Sequence, residues 1–225
     1  MTNRTALVVA AHPDDEVLGC GATILKLRQR GFQVKVAFMT DGESSRVTND
    51  LTERIASRRR AAIDANNLLG TEVIHWGEFP DNGMDSLPLI TIVRQIEAVI
   101  SDCGPTIVLT HWHGDLNIDH QLVSRAVVTA TRPQASTTVR RVLAFEIPSS
   151  SEWAFGLPNR FVPNTFVAVD DTFSQKLDAL ECYSSELREP PHPRSRESIS
   201  ASAVRYGHSV GCGFAEAFSL IRSVE

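Results

Sequence analysis

The chain is poor in everything that would mark a disulfide-stapled, membrane-bound or polyanion-binding protein. Its 225 residues hold four cysteines, Cys20, Cys103, Cys182 and Cys212, with no CxxC pair among them. That scatter excludes a secreted disulfide framework and a cysteine-rich zinc module, and it reads as reduced thiols in a cytoplasmic setting. No apolar run approaches the roughly 18–20 residues of a membrane span. The run nearest the start, Ala6 to Ala11, is also too short for a secretory core and ends in His12 and acids. An excess of positive charge is missing too: 22 basic residues face 27 acidic ones, a formal charge of −5. Such a balance gives no bulk field for gripping nucleic acid or an anionic membrane. The one basic run, Arg58-Arg59-Arg60, reads as a solvated helix face. There is no internal repeat and no low-complexity segment. What is present, 42% hydrophobic residues over this length, suffices to bury a core without staples.

The periodicities describe an α/β protein. Ala6–Ala11 is a continuous small and β-branched run, as a strand buried on both faces requires. Gly19–Arg30 reads as a helix stopped by Gly31, Gln33–Thr40 as a second strand, and Thr52–Leu69 as a charged helix stopped by Gly70. Glu72–Trp76, Leu87–Ile100, Thr106–Thr110 and His120–Thr131 continue the alternation of strand and helix. Four such repeats predict a Rossmann-like parallel sheet with helices on both faces. After Pro133 the pattern becomes mixed α+β: strands at Arg141–Ile147 and Phe161–Val169, a helix at Thr172–Glu186, a stiff Pro190-Pro191-His192-Pro193 loop, and a last strand at Phe214–Ile221. The expectation is one domain over residues 1–225, with a core at 1–133 and an extension at 134–225.

Ligands of open parallel sheets sit beyond the carboxyl ends of the strands, where the strand order reverses. In the common orders the first and fourth strands flank that crevice, and the two most polar turns follow those strands. One is Ala11-His12-Pro13-Asp14-Asp15-Glu16; the other runs His111-Trp112-His113-Gly114-Asp115-Leu116-Asn117-Ile118-Asp119-His120. An imidazole and a carboxylate from the first turn with an imidazole from the second make a three-donor set with a free position. That set suits catalytic zinc, and a similar one holds ferrous iron. His12 and Asp15 are close enough in a tight turn to face one pocket, with Asp14 beside them where a general base would stand. The plainer alternative is a run of acids interacting with the N-terminal dipole of a helix, which needs no metal.

The stretch Ala11-His12-Pro13-Asp14-Asp15-Glu16-Val17-Leu18-Gly19-Cys20-Gly21 resembles the opening motif of the LmbE-like, or PIG-L, family of zinc-dependent N-deacetylases. The resemblance continues through Thr40-Asp41-Gly42-Glu43, Ala65-Asn66-Asn67-Leu68-Leu69-Gly70 and Asp119-His120, covering about the first three-fifths of the chain. It implies one zinc ion per chain held by His12, Asp15 and His120, with Asp14 as general base and Arg58 as the substrate arginine of the second helix. It also implies homo-oligomers. Two departures stand out. Ala61 occupies a position that is glutamate in many members. Asn117 replaces the first histidine of the family's His-Pro-Asp-His window, a residue thought to stabilise the oxyanion or donate a proton. An asparagine amide donates a hydrogen bond but carries no proton charge. Either Asn117 serves as a neutral donor, or Asp14, His113 or His192 supplies the acid. Asp119 is expected to orient a ligand from behind.

The expected reaction is hydrolysis of an N-acetyl group on an amino sugar. Asp41, Arg58, Asp81 and Asn82 are candidate contacts to sugar hydroxyls, and Trp76, Trp112 or Trp153 a candidate ring platform. Three other readings compete. A two-metal phosphoesterase would call on Asp41 and Asp115. A catalytically impaired relative would fit Asn117. A dinucleotide module would use Gly19-Cys20-Gly21, although Ile24 occupies the place of the third glycine and three acids precede the turn.

Overall fold

A computed structural model of the chain describes residues 4–135, 137–157 and 160–225. Strand β1 (Thr5–Ala10) is buried along its whole length because its alternate side chains serve two cores. Ala6, Val8 and Ala10 pack with the inner faces of α1 (Asp15–Gln29), α2 (Leu51–Leu69) and α5 (Phe173–Glu181). Leu7 and Val9 pack on the opposite side with α3 (Leu89–Cys103) and α4 (Ile118–Ala130). A strand so placed keeps no polar face, which is why its sequence does not alternate.

Around β1 the sheet has seven strands. Beyond β1 lie β2 (Gln33–Thr40), β3 (Glu72–Phe79), β4 (Ile107–His111), β5 (Arg141–Phe145), β6 (Thr165–Ala168) and β7 (Ala215–Ser223). Their order is β3-β2-β1-β4-β5-β7-β6. The first five positions are parallel; β7 runs antiparallel to β5, and β6 antiparallel to β7. The parallel part is thus one strand longer than the four repeats legible before Pro133. The chain winds outward from β1 through β2 to β3, then returns to the other side of β1 as β4. The reversal lies between β1 and β4, where ligand crevices form.

Helix α1 begins at Asp15, not at Gly19, and is two helical pieces joined at Cys20, whose φ of −151° and ψ of 21° are not helical. The polar groups freed by the break are met from the C-terminal third. Lys176 of α5 donates to the Leu18 carbonyl (2.8 Å), and Glu216 of β7 accepts from the backbone N–H groups of Ala22 (3.2 Å) and Thr23 (2.6 Å). Lys176 and Glu216 are also paired with each other (2.6 Å), so neither buried charge is left alone. Gly19 is required at the break, since a Cβ there would lie 2.3 Å from the Phe145 ring. The Gly19-Cys20-Gly21 stretch is therefore packed against Phe145 and Lys176 and forms no cradle for a phosphate.

One helix, α6 (Arg196–Ser209), left no clear periodicity. Its buried residues are Ile199, Ala203, Tyr206 and Gly207, so half of its inner stripe is carried by residues too small to register as apolar. Its start does carry a cap: the Ser195 hydroxyl accepts from the N–H of Ser198 (3.1 Å).

Candidate functional site

The two polar turns meet at the reversal point. The Nδ1 of His12 stands 3.2 Å from Asp15 Oδ2 and 3.2 Å from His120 Nε2, and the third side, His120 Nε2 to Asp15 Oδ2, is 3.4 Å. A tetrahedral zinc with bonds of about 2.0–2.1 Å sets its ligand atoms about 3.3–3.4 Å apart. Three donors from two turns thus already hold the edge lengths of such a site. Asp15 Oδ1, buried and without a hydrogen-bond partner among the described residues, lies beside them. The donor set fits a single divalent ion.

Each imidazole is fixed from its far side. His12 Nε2 lies 3.2 Å from Asp119 Oδ2 and 3.2 Å from Asp81 Oδ1. Asp119 is in turn anchored by the backbone N–H groups of Asn82 (2.7 Å) and Met84 (3.1 Å). His120 Nδ1 lies 3.1 Å from Asp115 Oδ1, while Asp115 Oδ2 accepts from the hydroxyls of Ser150 (3.0 Å) and Ser151 (2.6 Å). These carboxylates keep the protons of the two rings on the outer nitrogens and turn the inner nitrogens toward each other. Burial works to lower the pKa of His120, yet Asp15 and Asp115 raise it to about 9. Burial works to raise Asp15, but His120 and His111 hold it well below the usual carboxylate range. His111 stacks on His120, ring centres 4.0 Å apart, and its Nε2 accepts from the Ala11 N–H (2.9 Å).

Asp14 is buried beside this set with a backbone φ of +134°, a region that L-residues other than glycine rarely occupy. Holding it costs of order 1–3 kcal/mol. The conformation is held by Glu16, whose Oε2 accepts from the Asp14 N–H (3.0 Å). Glu16 Oε1 accepts from Asn66 Nδ2 (2.9 Å) and the Tyr183 hydroxyl (2.7 Å). The third acid of the turn therefore ties α2 and the turn after α5 to it. Asp14 Oδ2 faces Arg194 Nη1 (3.2 Å) and Arg58 Nη1 (3.5 Å). Burial pushes Asp14 up to about 6, against the pull of those two guanidinium groups.

The remaining expected contacts divide. Arg58 lines the cleft but is itself buried, with all three guanidinium nitrogens engaged by Glu43, Glu186, the Pro13 carbonyl and Asp14. Asp81 lines the cleft and is spent on His12 and Ser45. Asn117 lines it as well, but as the N-cap of α4: its carbonyl accepts from the N–H of Asp119 (2.8 Å) and His120 (3.4 Å), and its amide donates to Asn82 Oδ1 (2.7 Å). Asp41 closes a turn by accepting from the N–H groups of Glu43 and Ser44, both at 2.7 Å, and is not part of the cleft wall. His113 is exposed, edge-on to Trp112, and His192 stands edge-on to Trp153; neither lines the cleft. The loop carrying His192 instead delivers Arg194. Trp112 is buried, and Trp76 packs under the Arg59 guanidinium. Arg194, Glu186 and the Ser150–Ser151 pair left no signal of their own in the sequence. Asp115 stood in plain view inside the second turn.

The family model described as PIG-L, GlcNAc-PI de-N-acetylase, matches residues 7–131, the stretch that carries all three donors. The chain belongs to the PIG-L family. Among its relatives is the uncharacterised deacetylase YaiS of Escherichia coli K12, 32% identical over 80% of this chain and 90% of that protein. The diacetylchitobiose deacetylase of Thermococcus kodakarensis is 28% identical over 98% of this chain and 84% of its own length. A solved structure of similar fold is GalB, the 4-carboxy-2-hydroxymuconate hydratase of Pseudomonas putida KT2440, with a TM-score of 0.77 at 23% identity over 99% of this chain and 98% of that one. This PIG-L fold thus carries more than one chemistry, and the site, not the fold, has to decide between them.

Proposed function

We propose that this PIG-L protein is a zinc-dependent N-deacetylase that hydrolyses an N-acyl group, acetyl in the first instance, on an amino sugar or amino-sugar conjugate. The observation that carries the reading is the triangle of His12 Nδ1, Asp15 Oδ2 and His120 Nε2, with sides of 3.2–3.4 Å, next to the buried carboxylate of Asp14. His12, Asp15 and His120 would hold one divalent ion per chain, zinc or ferrous iron, which would supply Lewis acidity toward water and the acyl carbonyl.

The chain's own residues supply the proton transfers. Asp14 has Oδ2 tied to arginines, while Oδ1 makes no hydrogen bond to the described residues. Asp14 Oδ1 takes a proton from the attacking water as its oxygen bonds to the acyl carbon. It then passes that proton to the amide nitrogen as the carbon–nitrogen bond breaks, and the acid so released gives its remaining proton to the amine, so that acetate and a protonated amine leave. Asn117 stays outside this sequence, because its carbonyl caps α4 and its neutral amide transfers no proton.

The two-metal reading lacks a bridging carboxylate among the described residues. A second group, His12, Asp81 and Asp119, shares only the His12 ring with the first, through its opposite nitrogen. Asp115 is committed to His120 and two serines, and Asp41 to its turn. The test is acetate release from a panel of N-acetyl amino sugars, with and without a chelator, alongside metal analysis. Chelator-sensitive release with one metal per chain supports the reading. Release indifferent to chelation, or two metals per active chain, overturns it. Assembly into homo-oligomers belongs to the same reading through the family resemblance, and a cytoplasmic location through the scattered thiols; light scattering tests the first. No helix of the described residues is long and apolar enough to cross a membrane.

A further inference from the structure

The cleft must offer the substrate a hydrogen-bond donor near the reacting amide, and most of its donors are already spent. Arg58 is buried with Nε, Nη1 and Nη2 all engaged. Asn82 Nδ2 is held by Ser45 and Asp81, and Asn117 Nδ2 gives one of its two N–H groups to Asn82, which leaves it a single neutral donor. His12 Nε2 faces two carboxylates. Two cleft-lining arginines keep a free N–H group. Arg46 binds Glu186 through Nη2 and faces Glu43 through Nε, and makes no contact with Asp14. Arg194 uses Nε on the Pro148 carbonyl (3.4 Å) and Ser149 hydroxyl (3.3 Å), and Nη1 on Asp14 (3.2 Å) and toward Glu186 (3.5 Å). Its Nη2 donates to no described group. The side chain, 19% exposed, lines the same cleft wall as His12, Asp14 and His120.

We propose that Arg194 Nη2 donates to the carbonyl oxygen of the scissile amide, filling the role that the family histidine replaced by Asn117 would otherwise take. The inference rests on the deacetylase reading and adds a residue to it. Arg194 is joined through Nη1 to Asp14 Oδ2, so it sits one carboxylate away from the water that Asp14 Oδ1 activates. Its backbone is set by the loop: the Arg194 N–H donates to His192 Nδ1 (3.0 Å), and Nε is pinned to Pro148 and Ser149 on the segment after β5. A guanidinium fixed through two of its three nitrogens and free at the third is pre-organised for a developing oxyanion, which is where such donors have most effect. Being permanently charged, it does for the oxyanion what a neutral asparagine amide does less well, and it leaves the proton itself to Asp14.

The experiment compares wild type, Arg194→Ala and Arg194→Lys on whichever N-acetyl sugar the wild type hydrolyses, measuring kcat, KM, bound metal and thermal midpoint. Loss of one oxyanion donor lowers kcat by about 10²–10³-fold. Arg194→Ala should show a kcat loss of that order with KM within about threefold, unchanged metal content, and partial recovery on adding guanidinium ion. Arg194→Lys, which keeps the charge but cannot serve Asp14 and substrate together, should fall between. A kcat within threefold of wild type in Arg194→Ala overturns the proposal, as does a loss that tracks metal content. If the alanine variant does not fold, Arg194→Lys carries the decision: wild-type kcat overturns, and a tenfold or larger fall at constant KM supports. Wild type that releases no acetate sinks the deacetylase reading and this inference with it. Wild type that does, beside an undiminished Arg194→Ala, sinks this inference alone.

Discussion

The turn after β1 and the loop before α6 both reach Asp14, and they hold it in opposite ways. The turn fixes Asp14 through its own backbone: Glu16, two residues on, accepts its N–H, and His12 and Asp15 flank it as candidate metal donors. The loop before α6 holds the same residue through a side chain 180 positions away, Arg194, balanced by Glu186 and Arg58. Donor atoms for a metal tolerate only tenths of an ångström, so they are concentrated in short turns where local geometry guarantees spacing. A guanidinium meeting a carboxylate has reach and rotational choice, so any loop that passes nearby can supply it. The first kind of function is written locally; the second is written in the tertiary fold.

That contrast breaks most visibly at the metal donors. His120→Ala removes one corner of the triangle and should abolish stoichiometric metal after dialysis, taking all measurable turnover with it. Retained metal at one per chain would remove His120 from the donor set. Asp14→Asn should keep the metal yet lose about 10²–10⁴ in kcat, the usual range for a general base. The pH profile offers an independent reading of the same group. Asp14 must be ionised to accept a proton, and burial sets its pKa at about 6. A bound dication stabilises the ionised form and moves that value down. So kcat/KM should be level above about pH 6 and fall by about tenfold per unit below an inflection at or under that pH. An acid limb near pH 7 or higher would point to a different base.

The same division explains what the sequence made legible. That the turns after β1 and β4 meet was legible, because both strands border the reversal point and their turns are the two most polar; which imidazole of the second turn joins His12 and Asp15 came from the family resemblance. The orientation of the rings was half legible: Asp119 does hold a candidate donor in place, and that donor is His12, whereas the residue behind His120 is Asp115. Choosing between them needs the direction in which α4 starts, which sequence spacing does not set. Glu186 and Arg194 were illegible because their partners, Arg46, Arg58 and Asp14, are more than a hundred residues away and belong to other elements. The break in α1 was hidden for a related reason, since the groups that satisfy it, Lys176 and Glu216, sit at the far end of the chain.

A smaller effect sharpens the comparison at Asp115. Asp115→Asn keeps the size of the side chain and its serine contacts but replaces the charge behind His120 Nδ1 with a neutral amide. Outer partners of metal-bound histidines typically contribute 10–100-fold in metal affinity. Competition with a chromogenic chelator should therefore show weaker binding by about that factor, with the thermal midpoint of the metal-free protein changed far less. Equal affinity in the two proteins would mean that Ser150 and the stacked His111 suffice to orient the ring.

The smallest expected change is at Asn117, and its kind matters more than its size. The residue stands in a window where the family resemblance leads one to expect catalysis, yet its carbonyl satisfies the first free N–H groups of α4, at Asp119 and His120. Removing such a cap costs about 1 kcal/mol of stability. Asn117→Ala should lower denaturant stability by roughly that amount. Asn117→Ser, which restores an oxygen able to accept from the same N–H groups, should recover most of it. Failure of serine to recover stability would mean that the amide bond to Asn82, and not the cap, is what Asn117 contributes. That outcome would tie the β3–α3 connection, which carries Asp81 and Asn82, to the placement of His12.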